Sequence, residues 1–422
     1  MPASHPTPAR ANLLRSRRYG WYVLTLFASM NFFNYANRNI VLPMYDDLRS
    51  VFGFSNAELG LLTTSFMGFH ALVAIPAGWA ADRFDRRMVI AAGLAVWSVG
   101  TMACAAAAGT YSMMLGRAIA GLGTGALVPV ANALLCDVFP DEEKARTVSI
   151  FNIGLFLGGA AGFAIGAVFG YPLGVIIVAL PPVALSFLAA RVDVPARRAS
   201  VSYSHERMTW HAFAIDCASI LRIRSLRWLL LGAICISFAN GGYLAWFVDF
   251  VARTKGLTVG GATLFFGASA LSGGLAGVVA GGVVGDWLYR KVPYGRMAAI
   301  SIGLSCAVPF ALISIYVDGG VLFYAGAWLM MFFITWYHGP MAAAVDDLVA
   351  DERAATAQAG LICLMHLLGT APSAYVIGLV ADRVGLRTAL LVPTIAVGLA
   401  ALAFTGAWRH VDLDQRAAGG AQ

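Results

Sequence analysis

The sequence contains very little charge. Of its 422 residues, 12% are charged and 59% are hydrophobic, whereas an average soluble protein has roughly 25% charged residues. Long apolar runs such as 88–116 are not interrupted by polar faces at helical spacing. The composition therefore excludes an ordinary soluble protein and predicts an integral membrane protein.

Motifs for metal, redox and hydrolytic chemistry are also missing. The six cysteines lie almost entirely in apolar segments, and none has the CxxC spacing of a redox or metal site. The sequence contains neither HExxH nor GxSxG. We therefore predict that the chain is not an enzyme, that it has no catalytic residues, and that it binds no metal and no cofactor.

Apolar segments of about 20 residues, the length that crosses a bilayer, occur twelve times. They predict an all-α polytopic membrane protein with twelve transmembrane helices in two pseudo-symmetric six-helix bundles. The predicted parts are a tail 1–18, a bundle 19–191, a linker 192–226, a second bundle 227–409 and a tail 410–422. Residues 210–224 of the linker fit either a basic amphipathic helix on the membrane surface or a solvated loop.

The net charge of +7 is unevenly distributed. The amino terminus and the connections after even-numbered spans hold 22 of the 29 basic residues, the other connections hold five, and Arg38 and Arg117 lie inside spans. Cytoplasmic loops carry such an excess. We therefore expect a multi-pass protein, in a bacterial inner membrane, with both termini in the cytoplasm and no nucleic-acid partner.

A charged stretch between two apolar runs occurs twice. In the first copy a glycine, an acid and basic residues occupy 78–87, and 282–291 repeat that spacing 204 residues later. Asp137 and Asp347, each four residues before a second acid, form another pair at nearly the same separation. Two pairs of motifs at nearly the same separation along the chain predict a duplicated six-helix unit.

Both charged stretches resemble the signature loop of the major facilitator superfamily of secondary transporters. The resemblance implies the major facilitator fold and a charge relay that locks a cytoplasmic gate. Asp85 departs from the family, which usually has glycine there, and charge that only sets topology is the alternative explanation. The implied relay residues are Gly78, Asp82, Arg83, Arg86, Arg87 and Asp137 in the first copy, and Gly282, Asp286, Arg290, Lys291 and Asp346 or Asp347 in the second.

Two arginines within spans point to a binding site, because charge in a bilayer is costly and usually faces a cavity or a partner. Arg38 follows Asn34-Tyr-Ala-Asn37, which resembles a segment of spinster-like transporters, a branch that carries lysolipids and sphingolipids. Arg117 precedes a glycine-rich run that matches another superfamily motif. The branch typically has acids at the positions of Asn37 and Thr124.

These departures leave two interpretations open. Either the substrate's own anionic group neutralises both arginines, or Asn37 replaces an acid and traps one conformation. Each intramembrane histidine is either a packing residue or a ligand contact. The full set of predicted substrate-binding residues is Arg38, Asn34, Asn37, Arg117, Thr124, Asn132, Tyr243, Trp246, Trp336, Tyr337, His338 and His366.

The resemblance implies a secondary transporter that works by alternating access. We expect an anionic amphipathic substrate, either a lysolipid, a sphingolipid-like molecule or an organic anion, with protons as a further coupled species. The expected partners are this small-molecule or lipid substrate and the membrane lipids, and the expected state is a monomer. The alternatives are a proton-coupled multidrug exporter of the same fold and a membrane receptor that does not transport.

Overall fold

The computed structural model describes residues 17–139, 141–193, 223–349 and 351–419. Most of the predicted linker (194–222), most of the first predicted tail (1–16) and the last three residues of the second (420–422) lie outside the described residues. So do the side chains of four predicted relay residues, namely Asp82, Arg83, Asp137 and Asp346, and the surroundings of Gly78.

The described chain is almost entirely helical. A short 3₁₀ turn, Leu42–Met44, follows the first helix, and a π-helical turn, His366–Thr370, joins α14 to α15. The α-helices are α1 Arg17–Asn39, α2 Tyr45–Phe52, α3 Asn56–Arg83, α4 Arg86–Ala105, α5 Thr110–Thr124, α6 Leu127–Val138, α7 Asp141–Phe169, α8 Leu173–Ala190, α9 Arg224–Thr254, α10 Val259–Tyr289, α11 Gly295–Tyr316, α12 Gly320–Ile334, α13 His338–Asp346, α14 Asp351–Met365, α15 Ala371–Val384, α16 Leu386–Ala389 and α17 Leu391–Gly419.

Helices at all twelve predicted spans confirm the fold class. Among the described residues, ten helical segments are long and apolar enough to cross a membrane. The first two predicted spans, α1 and α3, are not among them. In α1, Asn31, Asn34, Asn37 and Arg38 lower the hydropathy.

The chain divides into two compact units. The first contains Met1–Phe52 and Gly68–Glu206, and the second contains Gly53–Met67 and Arg207–Gln422. This division differs from the predicted bundles at residues 53–67. The reason is that the beginning of α3 packs against α15, so that a Cβ on Gly60 would lie 2.2 Å from the carbonyl oxygen of Ala374.

Glycines form close helix contacts in both units. In the first, a Cβ on Gly158 would lie 2.0 Å from Phe32 O, and one on Gly162 would lie 2.3 Å from Ala36 O. In the second, a Cβ on Gly277 would lie 1.9 Å from Phe332 O. Glycine is therefore required where these backbones touch.

Each unit contains one span that is broken at the same point of the repeat. α5 ends at Thr124 and α12 at Ile334, 210 residues apart, and a new helix begins within four residues of each end. Pro129 and Pro340 are the third residues of the new helices. Proline lacks the N–H that would continue the hydrogen-bond ladder into the preceding turn, so the sequence itself causes both breaks.

Candidate functional site

Arg38 lies in the last turn of α1 and is partly exposed. Its guanidinium carbon is 5.7 Å from the centre of the Tyr35 ring, an arrangement that favours a cation over an aromatic face. Among the described residues, no carboxylate forms an ion pair with Arg38. A partly exposed cation without an acidic partner is available to an anion.

Arg117 has a different environment. It is only 2% exposed, and its guanidinium donates hydrogen bonds to the carbonyl oxygens of Asn37 at 3.1 Å and Arg38 at 3.3 Å. Carbonyls at the end of a helix lack intrahelical donors. Arg117 therefore stabilises the carboxyl-terminal end of α1 and positions the backbone of Arg38, and in this structure it is not accessible to a ligand.

The amide residues of α1 are buried next to these arginines. The side-chain oxygen of Asn37 accepts a hydrogen bond of 3.1 Å from Thr101, whereas its Nδ2 has no partner among the described residues. Asn34 is 4% exposed. An uncharged side chain at 37 leaves the guanidinium of Arg38 without a carboxylate from its own helix.

Thr124 and Asn132 lie on either side of the break in the fourth span. Thr124 is fully buried, donates to Gly121 O and lies 3.0 Å from Nδ1 of His70. Asn132 is partly exposed, and its Oδ1 has no hydrogen-bond donor within the described part of the chain. The break thus places a polar amide and an imidazole in the first unit.

The corresponding break in the second unit presents three neighbouring side chains. Asn240 donates to the hydroxyl of Tyr337 at 3.0 Å, and the rings of Tyr337 and His338 stack with their centres 4.1 Å apart. His338 is exposed, whereas Tyr337 is 3% and Trp336 8% exposed. Of the predicted aromatic group at 336–338, His338 is the exposed member.

His366 begins the π-helical turn in the eleventh span. Its Nδ1 lies 3.1 Å from the Thr370 hydroxyl, which is 2.6 Å from the hydroxyl of Ser237 on α9. Single π turns are frequent at functional sites because they disturb the regular ladder. The sequence gives no signal for this turn or for the roles of Thr101 and Thr370, since threonine within an apolar span usually bonds its own helix.

Tyr243 and Trp246 hold helices together. Tyr243 forms a hydrogen bond of 2.7 Å with Thr394, and Nε1 of Trp246 donates to Ala374 O at 2.9 Å. Both side chains are at most 2% exposed. These two predicted binding residues are not accessible to a ligand in this structure.

The first charged stretch, 78–87, contains the N-cap of α4. Asp85 accepts a hydrogen bond of 3.0 Å from Arg87 N at the start of α4, and the Arg87 side chain pairs with the same carboxylate. The Arg87 guanidinium holds the pKa of Asp85 below its ordinary value. Arg87 also donates to Val192 O at 2.9 Å, so it joins the beginning of α4 to the end of α8. The unexpected acid at position 85 is an N-cap.

Arg296, which lies outside the second charged stretch 282–291, forms ion pairs with two predicted relay acids. Arg296, in the first turn of α11, pairs with Asp347 and lies 3.7 Å from Asp286. It also lies over the Tyr289 ring. Asp286 and Arg290 are four residues apart, a spacing at which side chains on one helix can pair. In the structure, the described ion pair of Asp286 is with Arg296 instead.

Comparison with known proteins agrees with this architecture. The family model described as Major Facilitator Superfamily matches residues 27–359. Protein spinster homolog 3 of Danio rerio is 25% identical over 90% of this chain and 81% of its own length. Protein spinster homolog 1 of Homo sapiens is 25% identical over 94% of this chain and 82% of its own.

The solved structures include a similar fold. The crystal structure of a bacterial homolog to the human lysosomal transporter spinster, in an inward-facing and unoccupied conformation, has 20% sequence identity and a TM-score of 0.82. The match covers 94% of this chain and 99% of that one. The chain therefore belongs to the Major Facilitator Superfamily and is a non-enzymatic membrane transporter of the spinster type.

Proposed function

We propose that the chain works by alternating access and moves an anionic amphipathic substrate, a lysolipid, a sphingolipid-like molecule or an organic anion, across a bacterial inner membrane with both termini in the cytoplasm. The observation that carries the proposal is Arg38, a partly exposed guanidinium that pairs with no described carboxylate. Because an unpaired charge is costly within a membrane, an anionic group on the substrate is a favourable partner.

The residues around Arg38 favour an amphipathic molecule over a small ion. Tyr35 lies beside the guanidinium, and Phe32 and Phe33 are partly exposed one to two turns before it. Aromatic surface next to a single charged group matches a head group joined to an apolar chain. Arg117 contributes indirectly, because it fixes the carbonyls of the turn that carries Arg38.

We assign proton coupling to an imidazole in this chain. Neither Asn37 nor Thr124 can carry a proton at these positions, and His70 lies 3.0 Å from Thr124. Histidine changes charge near neutral pH in its unperturbed state. Replacing His70 by Gln is expected to flatten the pH dependence of uptake, and an unchanged profile would contradict the assignment.

Ligand-induced stabilisation tests the substrate class. A ligand that binds the folded state raises its melting temperature by mass action. We expect lysophosphatidic acid to raise the melting temperature more than the monoacylglycerol with the same acyl chain, and we expect Arg38→Ala to remove the difference. Arg49→Ala is the matched control, because Arg49 already pairs with Asp46 at 2.8 Å.

Two results would contradict the proposed substrate class. One is equal stabilisation by the two lipids in the parent protein. The other is stabilisation of the Arg38→Ala variant by a cationic drug beyond that of the parent, which would support the multidrug exporter instead.

A further inference from the structure

An acid of the second unit caps the beginning of a helix that extends into both units. α3 begins within the second unit, which includes Gly53–Met67, and continues into the first, which resumes at Gly68. Within the second unit, Asp382 near the end of α15 accepts hydrogen bonds from Asn56 N at 2.9 Å, Asn56 Nδ2 at 2.8 Å and Ala57 N at 2.8 Å.

The two backbone amides that Asp382 accepts from have no partner in their own helix. The first N–H groups of any helix lack intrahelical acceptors. Ser55 and Glu58 form a capping box, in which Ser55 N donates to the Glu58 carboxylate and Glu58 N donates to the Ser55 hydroxyl. Leu59 N already bonds Ser55 O. The remaining amides, those of Asn56 and Ala57, depend on Asp382.

Two glycines lie where α3 and α15 touch below this cap. A Cβ on Gly60 would lie 2.2 Å from Ala374 O, and a Cβ on Gly378 would lie 2.3 Å from Asn56 O. The two helices therefore meet backbone to backbone at these two glycines. Asp382 forms its hydrogen bonds at the end of this close contact.

We propose that Asp382 is a releasable latch that holds the first turn of α3 on α15 in one conformation of the transport cycle and lets go in the other. The carboxylate is exposed, so water can solvate both it and the two amides after release, and the tie is reversible. This inference rests on the alternating access proposed above, because only a cycle that moves α3 needs the contact to open.

Distance measurements between spin labels test the latch without any substrate. The labels replace the partly exposed Leu61 on α3 and the exposed Val384 at the end of α15, both in the second unit, in a chain whose native cysteines are replaced. We expect Asp382→Asn to increase the population at longer distances at least twofold. The matched control is Asp46→Asn, which removes a carboxylate that pairs with Arg49; its distribution should equal the parent's. An Asp382→Asn distribution equal to the parent's would overturn the proposal.

A cross-link gives a second test that does not require the single variant to fold. In a double variant, Asn56→Cys with Asp382→Cys, oxidation should hold the labels at the short distance and stop counterflow of lysophosphatidic acid, and reductant should restore both. Full exchange, or an unchanged distribution of distances, in the oxidised protein would overturn the latch. If the parent protein does not transport this lipid, the proposed substrate is contradicted. The distance measurement uses no substrate, so it still tests the latch.

Discussion

The sequence identifies Arg38 and Arg117 as functional candidates but does not distinguish their roles. The cost of charge in a bilayer singles out both arginines from the sequence. Their different roles depend on which groups lie within reach, and Arg117 meets two backbone carbonyls whereas Arg38 meets an aromatic ring. Every residue has a backbone carbonyl, so the sequence does not show which arginine binds carbonyl groups and which faces an aromatic ring.

We predict that Arg117→Gln destabilises the protein. The substitution leaves the carbonyls of Asn37 and Arg38 without their charged donor in a buried site, which costs roughly 1–3 kcal/mol. The measurement is denaturant unfolding in detergent. Arg38→Gln is the control and should change the free energy of unfolding by less than Arg117→Gln; the reverse order would contradict the assigned roles.

We predict that Asn37→Asp makes uptake more strongly pH-dependent than in the parent. The side chain is fully buried, so a carboxylate there is paired with a neighbouring arginine when ionised and is easily protonated when that pairing is broken. Uptake of lysophosphatidic acid measured from pH 5 to pH 8 tests this. Parallel pH profiles for the variant and the parent would show that position 37 does not control coupling.

At the scale of helices, glycine explains most of the close packing. Gly158 and Gly162 of α7 and Gly277 of α10 all lie against the backbone of a neighbouring helix. The breaks near Thr124 and Ile334 follow from proline, which the sequence does show. The π turn at 366–370 has no such marker.

We predict that Gly277→Ala lowers the melting temperature, because its Cβ would lie 1.9 Å from Phe332 O and the helices must separate. Gly267→Ala is the control in the same helix. Nothing lies within 4 Å of its Cβ, and alanine favours the helix by roughly 0.8–1 kcal/mol. Equal melting temperatures for the two variants would contradict the packing seen here.

We predict that Lys255→Met destabilises the second unit. Lys255 donates to Ile315 O, Val317 O and the Asp318 carboxylate, and its side chain is fully buried. The loss of a buried donor leaves acceptors unpaired and costs roughly 1–3 kcal/mol. Arg387→Gln, which removes only a partly exposed partner of Asp318, should cost less in the same unfolding experiment. A smaller loss for Lys255→Met would contradict this reading.

The pairing at Asp318 also has a defined pH dependence. Lys255 and Arg387 hold the pKa of Asp318 below its ordinary value. A lowered folded-state pKa means that the contribution to stability is present above the ordinary carboxyl pKa and disappears as the pH falls through the lowered value. The pairing is therefore intact throughout the neutral range.

At the scale of the whole molecule, duplication made the fold predictable. Composition excluded a soluble protein, and two repeated acidic motifs predicted a duplicated six-helix unit. The site was less predictable. Asp286 pairs with Arg296 in the second charged stretch, and the predicted binding residues Tyr243 and Trp246 are buried in this structure. Spacing gives the proximity of residues along one helix, whereas contacts between helices depend on packing that one sequence does not encode locally.

The most direct test of the central claim is counterflow of labelled lysophosphatidic acid in proteoliposomes. The parent protein should exchange internal unlabelled lipid for labelled lipid, because a transporter exchanges its substrate whereas a receptor only binds it. Arg38→Ala should reduce the initial exchange rate at least tenfold, while Arg49→Ala should retain it. Exchange at the parent rate by Arg38→Ala would contradict the claim that Arg38 receives the anionic group of the substrate.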